Sequence, residues 1–189
     1  MINFKRIFDI IFIISSSPIT LPLILLIVFL IVVFDGGNVF HVSKRIGKKN
    51  LVFNMYKFRT MKLDTPQLAT HLMKNPERYT SYAGNILRKL SFDELPQLYN
   101  VLKGEMSIVG PRPALFNQED LINLRNEKKV SNLLPGITGW AQINGRDNLS
   151  IAKKVELDQY YKKNMTILFD IKIIIKTFTK VFMSKGVSH

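Results

Sequence analysis

Two acidic side chains sit side by side in an otherwise basic stretch, Leu87-Arg88-Lys89-Leu90-Ser91-Phe92-Asp93-Glu94-Leu95-Pro96-Gln97-Leu98. Adjacent carboxylates can work as a nucleophile with an assisting acid or base, or can share a divalent cation. Arg88 and Lys89 precede the pair and Lys103 follows it. A carboxylate among cations is expected to have a depressed pKa and to stay ionised at neutral pH. Leu95, Leu98, Tyr99 and Leu102 recur at helical spacing, with Pro96 near the start and Gly104 just past the end, so a short helix is predicted to begin immediately after the pair. Helix starts also favour phosphate. The plainer alternative is a capping box, since Ser91 and Glu94 have the S-x-x-E spacing and Asp93 would suit the positive end of the dipole. Pro96 argues against it, because it would spoil the second turn of a helix capped at Ser91.

Other cations stand where phosphate could be held. Arg112 lies between Pro111 and Pro113, a restrained backbone from which a guanidinium can fork onto phosphate oxygens; a structural salt bridge is the alternative. Arg146, in Asn144-Gly145-Arg146-Asp147, is a second loop arginine beside a glycine that allows close backbone approach, and a solvated turn is its alternative. Tyr56-Lys57-Phe58-Arg59-Thr60-Met61 alternates cation and aromatic, as a strand with one wet face or a phosphate-and-base contact surface would. Over the whole chain, 27 Lys and Arg against 14 Asp and Glu give a net charge of +13. The partner should therefore be anionic: nucleic acid, a phosphate-bearing substrate or an acidic membrane surface. With no cysteine and three histidines that lack ligand spacing, disulfides, thiolate catalysis, cysteine-held metals and a histidine metal site are excluded or disfavoured.

The elements that must position these residues begin with a membrane segment. From Ile10 to Phe34 no residue is charged, and Asp9 and Asp35 flank the run. A straight helix of that length rises about 37 Å, enough for the ~30 Å hydrocarbon core. Pro18 and Pro22 interrupt its first half, with Ser15, Ser16, Ser17 and Thr20 beside them to bond the freed backbone groups. Lys5 and Arg6 precede the run and Lys44, Arg45, Lys48 and Lys49 follow it, so both flanks have a claim to the cytoplasm. A re-entrant helix broken at Ser17-Pro18 satisfies both. A kinked span and a cleaved signal peptide are the alternatives; the latter lacks an A-x-A-like site and its apolar region would be too long.

The 189 residues suit one functional unit, read as a membrane helix over 1–36 and a catalytic domain at the cytosolic face over 37–189. After the turn Asp35-Gly36-Gly37-Asn38, the runs Val39-Val42 and Leu51-Tyr56 predict a hairpin around the loop Lys44-Asn50. A helix is expected from about Gln118 to Val130, and no organisation is assigned to the Pro-containing stretch Thr65–Ser91. From Asn164 to Met183, Lys172, Lys176 and Lys180 form a stripe against Ile171, Ile174, Ile175, Phe178 and Phe182, which favours a helix lying in the lipid interface over a solvated edge. The fold class is α+β, mainly helical, with a small β-hairpin and amphipathic interfacial helices.

Three segments together resemble the bacterial sugar transferases, small monotopic phosphoglycosyl transferases that begin capsule, O-antigen or glycoprotein glycan assembly. They are Lys57-Phe58-Arg59-Thr60-Met61, the run Leu90–Pro113, and Pro135-Gly136-Ile137-Thr138-Gly139-Trp140-Ala141-Gln142 followed by Asn144-Gly145-Arg146. The resemblance runs from about Lys5 to Val187 and includes Ser17-Pro18, which in that family makes a re-entrant helix. It departs at Pro22 and at His41-Val42-Ser43, to which no role is assigned; larger relatives carry an extra N-terminal multi-span domain, so this reads as the minimal catalytic form.

The resemblance implies a two-step reaction. Asp93 would attack the β-phosphorus of a UDP-sugar, with an N-acetylated or 6-deoxy amino sugar expected, expelling UMP and leaving an aspartyl phosphosugar. Undecaprenyl phosphate would then take the phosphosugar. Glu94 would assist, Mg²⁺ would be held by Asp93 and Glu94, and Arg88, Arg112 and Arg146, with Lys57, Arg59, Pro111 and Pro113, would form the substrate site. The implied partners are the UDP-sugar, undecaprenyl phosphate and the bilayer, without nucleic acid, and with a homodimer or downstream glycosyltransferases as further associates. The implied place is the cytoplasmic face of the bacterial inner membrane. The rival is a non-catalytic, membrane-anchored basic protein that binds anionic lipid or nucleic acid, which explains the charge and the anchor but not two carboxylates amid cations.

Overall fold

The computed structural model describes residues 4–62, 65, 76–145 and 148–183. Helix α1 (Phe4–Leu30) runs into a π-helical turn over Ile31–Asp35. The expected break at Ser17-Pro18 is not an interruption: backbone stays helical through both prolines. The reason is local. Pro18 cannot donate to the carbonyl of Ile14, and the Ser17 hydroxyl donates to that carbonyl instead at 2.7 Å, while Ser15 and Ser16 donate to Phe12 and Ile13. Mid-helix residues Ile14, Ile19, Leu21, Leu25 and Leu26 are exposed. Toward each end one face packs inward: Ile13 packs with Val101, Ile108, Val109 and Ile173, and Ile27 and Ile31 pack with Phe58, Ala83 and Leu87.

The first turns of α1 are tied down by polar bonds as well. Asp9, almost fully buried, accepts from the Ser107 hydroxyl at 3.0 Å and the Ile108 N–H at 3.1 Å. Lys5 pairs with Asp170 at 2.5 Å and donates to the Tyr161 hydroxyl, which itself donates to Asp170 at 2.7 Å. Arg6 donates to the carbonyls of Val101 and Leu102 in the last turn of the helix that follows the acidic pair. A cation there adds a bond at the last carbonyls, Val101 O also accepting the Gly104 N–H, and suits the negative end of the dipole.

The hairpin is present, with β1 (Phe40–Ile46) and β2 (Val52–Phe58) antiparallel and longer than predicted, since part of the expected loop continues β1. Strand β4 (Ala114–Leu115) adds to β1's other side, and β3 (Ser107–Val109) pairs in parallel with β5 (Gly136–Thr138). The unassigned stretch contains helix α2 (Tyr82–Lys89), whose N-cap Ser81 accepts the Gly84 N–H. Then come α3 (Gln97–Lys103), α4 (Glu119–Glu127), the short α5 (Trp140–Ile143), α6 (Ile151–Asn164) and α7 (Ile167–Met183). Helix α6, capped by Ser150, was not anticipated. On α7, Ile173 and Ile174 are buried while Leu168, Ile171, Ile175 and Phe178 are exposed, so the expected apolar face is split between the core and an outward stripe beside the exposed lysines Lys172, Lys176 and Lys180.

The β3–β5 pair is a close backbone crossing. Gly110 N–H donates to Thr138 O, Gly136 N–H donates to Pro111 O, and a Cβ on Gly136 would stand 2.0 Å from Gly110 N. Only glycine fits there. Gly136→Ala should therefore cost more than about 2 kcal/mol in chemical denaturation. Gly36→Ala, where the added methyl meets nothing within 4 Å but φ is +60°, should cost about 1 kcal/mol.

Candidate active site

Asp93 and Glu94 lie in a 3₁₀ turn over Phe92–Glu94, between α2 and α3 and directly before the helix, as its spacing predicts. Pro96 caps α3 from outside, so its missing N–H costs nothing. The capping box does not form. Ser91 is in the left-handed region at φ 55° and makes no side-chain cap bond, and the Glu94 carboxylate is used elsewhere. Glu94 Oε1 meets Lys57 Nζ at 2.7 Å and Arg112 Nη1 at 3.4 Å, and the same ammonium lies 3.4 Å from Asp93 Oδ2. One lysine thus joins both carboxylates, each of which is mostly buried.

Lys57 reaches this place because β2 is pinned to α3 through Asn100, which has no exposed surface. Its Oδ1 accepts the Tyr56 N–H at 3.1 Å, and its Nδ2 donates to Asn54 O and to Glu105 Oε2, each at 2.7 Å. Arg88, at the end of α2, is oriented by donating Nε to Thr60 Oγ1 at 2.8 Å, and its charge favours ionised Asp93. Arg112 projects from a loop between two buried prolines.

Of the other predicted site residues, one is held elsewhere and one lies outside the described residues. Arg59 is buried and donates to the carbonyls of Asp35 and Gly36, so it clamps the turn after α1 and is not one of the ion-pair partners of Asp93 and Glu94. Arg146 lies outside the described residues. Conversely, Arg45 and His41 were missed. Strand register pairs His41 with Lys57, and period-2 alternation puts His41, Ser43 and Arg45 on one face. That alternation was the signal available in the sequence. Burial, and then Arg112, bring the Arg45 pKa down to about 10, with Glu94 opposing. Partial burial, then Lys57, Arg45 and Arg88, keep the His41 pKa below its usual value and so favour a neutral imidazole.

The electrostatics of Asp93 also reverse the expectation of a depressed pKa. Its carboxyl is pushed above the ordinary range because burial outweighs the cations, with Lys57 as the strongest opposing influence, Glu94 adding repulsion and Arg88 helping to lower it. Ionised Asp93 is therefore a charge the fold disfavours, a suitable state for a nucleophile. As for a metal, two adjacent carboxylates at a cation-lined surface fit Mg²⁺, which takes one or two carboxylates and completes its shell with phosphate oxygens and water. Among the described residues no cluster of three acidic or histidine ligands exists, so an all-protein cage is not the form such a site takes.

The raised value sets a sign. A carboxyl whose folded pKa lies above its unfolded value of about 3.9 favours folding when protonated, and that contribution is lost as pH rises through the folded pKa. Asp93→Asn, which mimics the neutral form, should then melt above the wild type at pH 7, with the gap closing toward pH 4. Carboxyl NMR should show Asp93 titrating above the ordinary range, and Lys57→Met should move its midpoint further up. A downward move would contradict Lys57 as an influence that lowers the Asp93 pKa, and a wild-type midpoint inside the ordinary range would contradict the dominance of burial.

The family model for bacterial sugar transferases matches residues 2–184. The chain is 43% identical over 187 residues to an uncharacterized sugar transferase, EpsL, of Bacillus subtilis, covering 98% of this chain and 90% of that protein. It is 38% identical to the exopolysaccharide production protein ExoY of Sinorhizobium fredii, covering 96% and 87%. It is also 35% identical to the undecaprenyl-phosphate galactose phosphotransferase of Salmonella typhimurium, covering 96% of this chain but 41% of that longer protein. With acidic pair, cationic surround and apolar helix all inside the matched region, the chain belongs to the bacterial sugar transferase family.

Proposed function

We propose that this chain transfers a sugar 1-phosphate from a UDP-sugar to undecaprenyl phosphate, in two displacements at Asp93. The observation that carries the reading is a buried carboxylate, held beside Glu94 by one ammonium, with Arg88, Arg112 and Arg45 converging on the same place. Phosphoryl transfer asks the protein mainly for positioning and for charge to offset phosphate oxygens. In the first displacement an Asp93 oxygen bonds to the β-phosphorus and the bond to the UMP oxygen breaks, UMP taking the electron pair. In the second, an oxygen of the acceptor phosphate bonds to that phosphorus and Asp93 leaves as carboxylate. Glu94 holds Lys57 and Arg112 in place and stands ready to take a proton from the acceptor. Asp93 and Glu94 would also hold Mg²⁺, which offsets diphosphate charge when bound. The Salmonella relative's name, an undecaprenyl-phosphate galactose phosphotransferase, supports the acceptor class.

The membrane part of the proposal is that α1 enters and leaves on the cytoplasmic face. Its support is that both ends of α1 pack on the same body while its middle is apolar and exposed, and that basic residues flank both ends. The exposed apolar stripe of α7 beside its lysines supports a resting place at the interface. A site held at headgroup level meets the acceptor phosphate without extracting the lipid, and confinement to the surface raises its effective concentration.

Two experiments test these readings. UDP-sugar without acceptor should release up to one equivalent of UMP, and the protein should gain the mass of one phosphosugar. Asp93→Asn should abolish both while the far-ultraviolet circular dichroism is kept. An active Asp93→Asn protein would end the covalent mechanism. For topology, cysteines at Phe4 and Lys48 should both escape a membrane-impermeant thiol reagent on intact cells; labelling of only one would favour a span.

A further inference from the structure

Arg112 is held at its backbone, not only by its prolines. Each carbonyl of Pro111-Arg112-Pro113 has a donor: Gly136 N–H on Pro111 O at 2.9 Å, Arg125 Nη1 on Arg112 O at 2.8 Å, and, at the limit of hydrogen-bond distance, Arg45 Nη1 on Pro113 O at 3.5 Å. The middle donor is the unusual one. Arg125 comes from α4, a helix with no other part in the site, and its guanidinium is fixed from behind by Asp158 of α6, which accepts from Nε at 3.1 Å and from Nη2 at 2.7 Å. Asp158 is 2% exposed and the Arg125 side chain 11%. A buried pair of this kind is weak evidence for stability, because desolvating two charges offsets their attraction.

We infer that the Arg125–Asp158 pair is a positioning device: it grips the carbonyl of Arg112 and thereby sets where the Arg112 guanidinium meets Glu94 and substrate phosphate. The planar fork suits this task, since it presents two N–H groups to one carboxylate and a third, at a fixed angle, to the carbonyl. Its two partners lie on different elements, so packing of α4 against α6 is transmitted to the loop. The inference rests on the transferase reading for its consequence in turnover, but the grip itself is independent of that reading.

The test replaces the pair as a unit. Arg125→Met with Asp158→Leu puts apolar side chains where both charges were, an exchange that leaves stability near neutral in comparable cases. Thermal melting and hydrogen exchange are then measured on the full chain, together with single-turnover UMP release. The expected result is a retained cooperative melt, faster exchange at the Arg112 and Ala114 amides, and UMP release slowed by about tenfold or more. In an Arg112→Ala background the same double replacement should slow release no further, because the group being positioned is gone. Unchanged exchange at Arg112 and Ala114 would overturn the inference, and so would losses that multiply in the Arg112→Ala background, which mark a merely structural pair. A wild type that releases no UMP, with the loop still loosened by the replacement, would remove the transferase reading and leave the grip standing.

Discussion

Burying two neighbouring carboxylates is the constraint on which the rest of this structure depends. Side by side in sequence and mostly out of water, Asp93 and Glu94 repel one another and have lost hydration, and both effects must be offset by cations brought from elsewhere. Lys57 does this from a strand, Arg88 from a helix end, Arg112 from a proline loop. Each then needs its own anchorage. Asn100 locks the strand, Thr60 the Arg88 side chain, and the Gly110–Gly136 crossing the loop. Because burial still wins at Asp93, its cationic surroundings only partly offset the cost of ionising that carboxylate.

The legible parts of the sequence were those written in local chemistry. The apolar run, the hairpin, the helix ending at Gly104 and the C-terminal helix all follow from composition, spacing and turn residues. The acidic pair was legible as a site because of its neighbours, and Arg112 because of its prolines. What was not legible came from pairing at a distance. The Asp93 pKa was misjudged since cations can be counted in a sequence and burial cannot. Arg59 looked like a site cation by alternation with Lys57, but it falls just beyond the end of β2 and turns to the carbonyls after α1. Helix α6 has weak apolar periodicity, and α2 is amphipathic but only eight residues long, too short for its pattern to stand out; their clearest markers, the N-cap serines Ser81 and Ser150, are too common to count alone. The Arg125–Asp158 pair joins α4 to α6 across 33 residues of sequence, a pairing with no local signature in either helix.

The prolines of α1 show how composition and context cooperate. A proline in a membrane helix frees a carbonyl where no water is available, and a run of serines supplies hydroxyls within the same turn. The helix thus stays helical through Pro18 with the Ile14 carbonyl still bonded.

The base of that helix has a further meaning for how the molecule can be taken apart. Lys5, Arg6 and Asp9 bond α7, α3 and β3 respectively, and Ile13, Ile27 and Ile31 fill two of the domain's apolar clusters. The division at residue 36 that hydropathy suggests is therefore not a seam. Cutting there would take Lys5 from Asp170, Asp9 from Ser107 and Arg6 from the last carbonyls of α3, and would open both clusters to water. Helix α1 and the elements it packs on share two apolar clusters, so a more soluble version is better sought by changing the exposed face of α1 than by removing it.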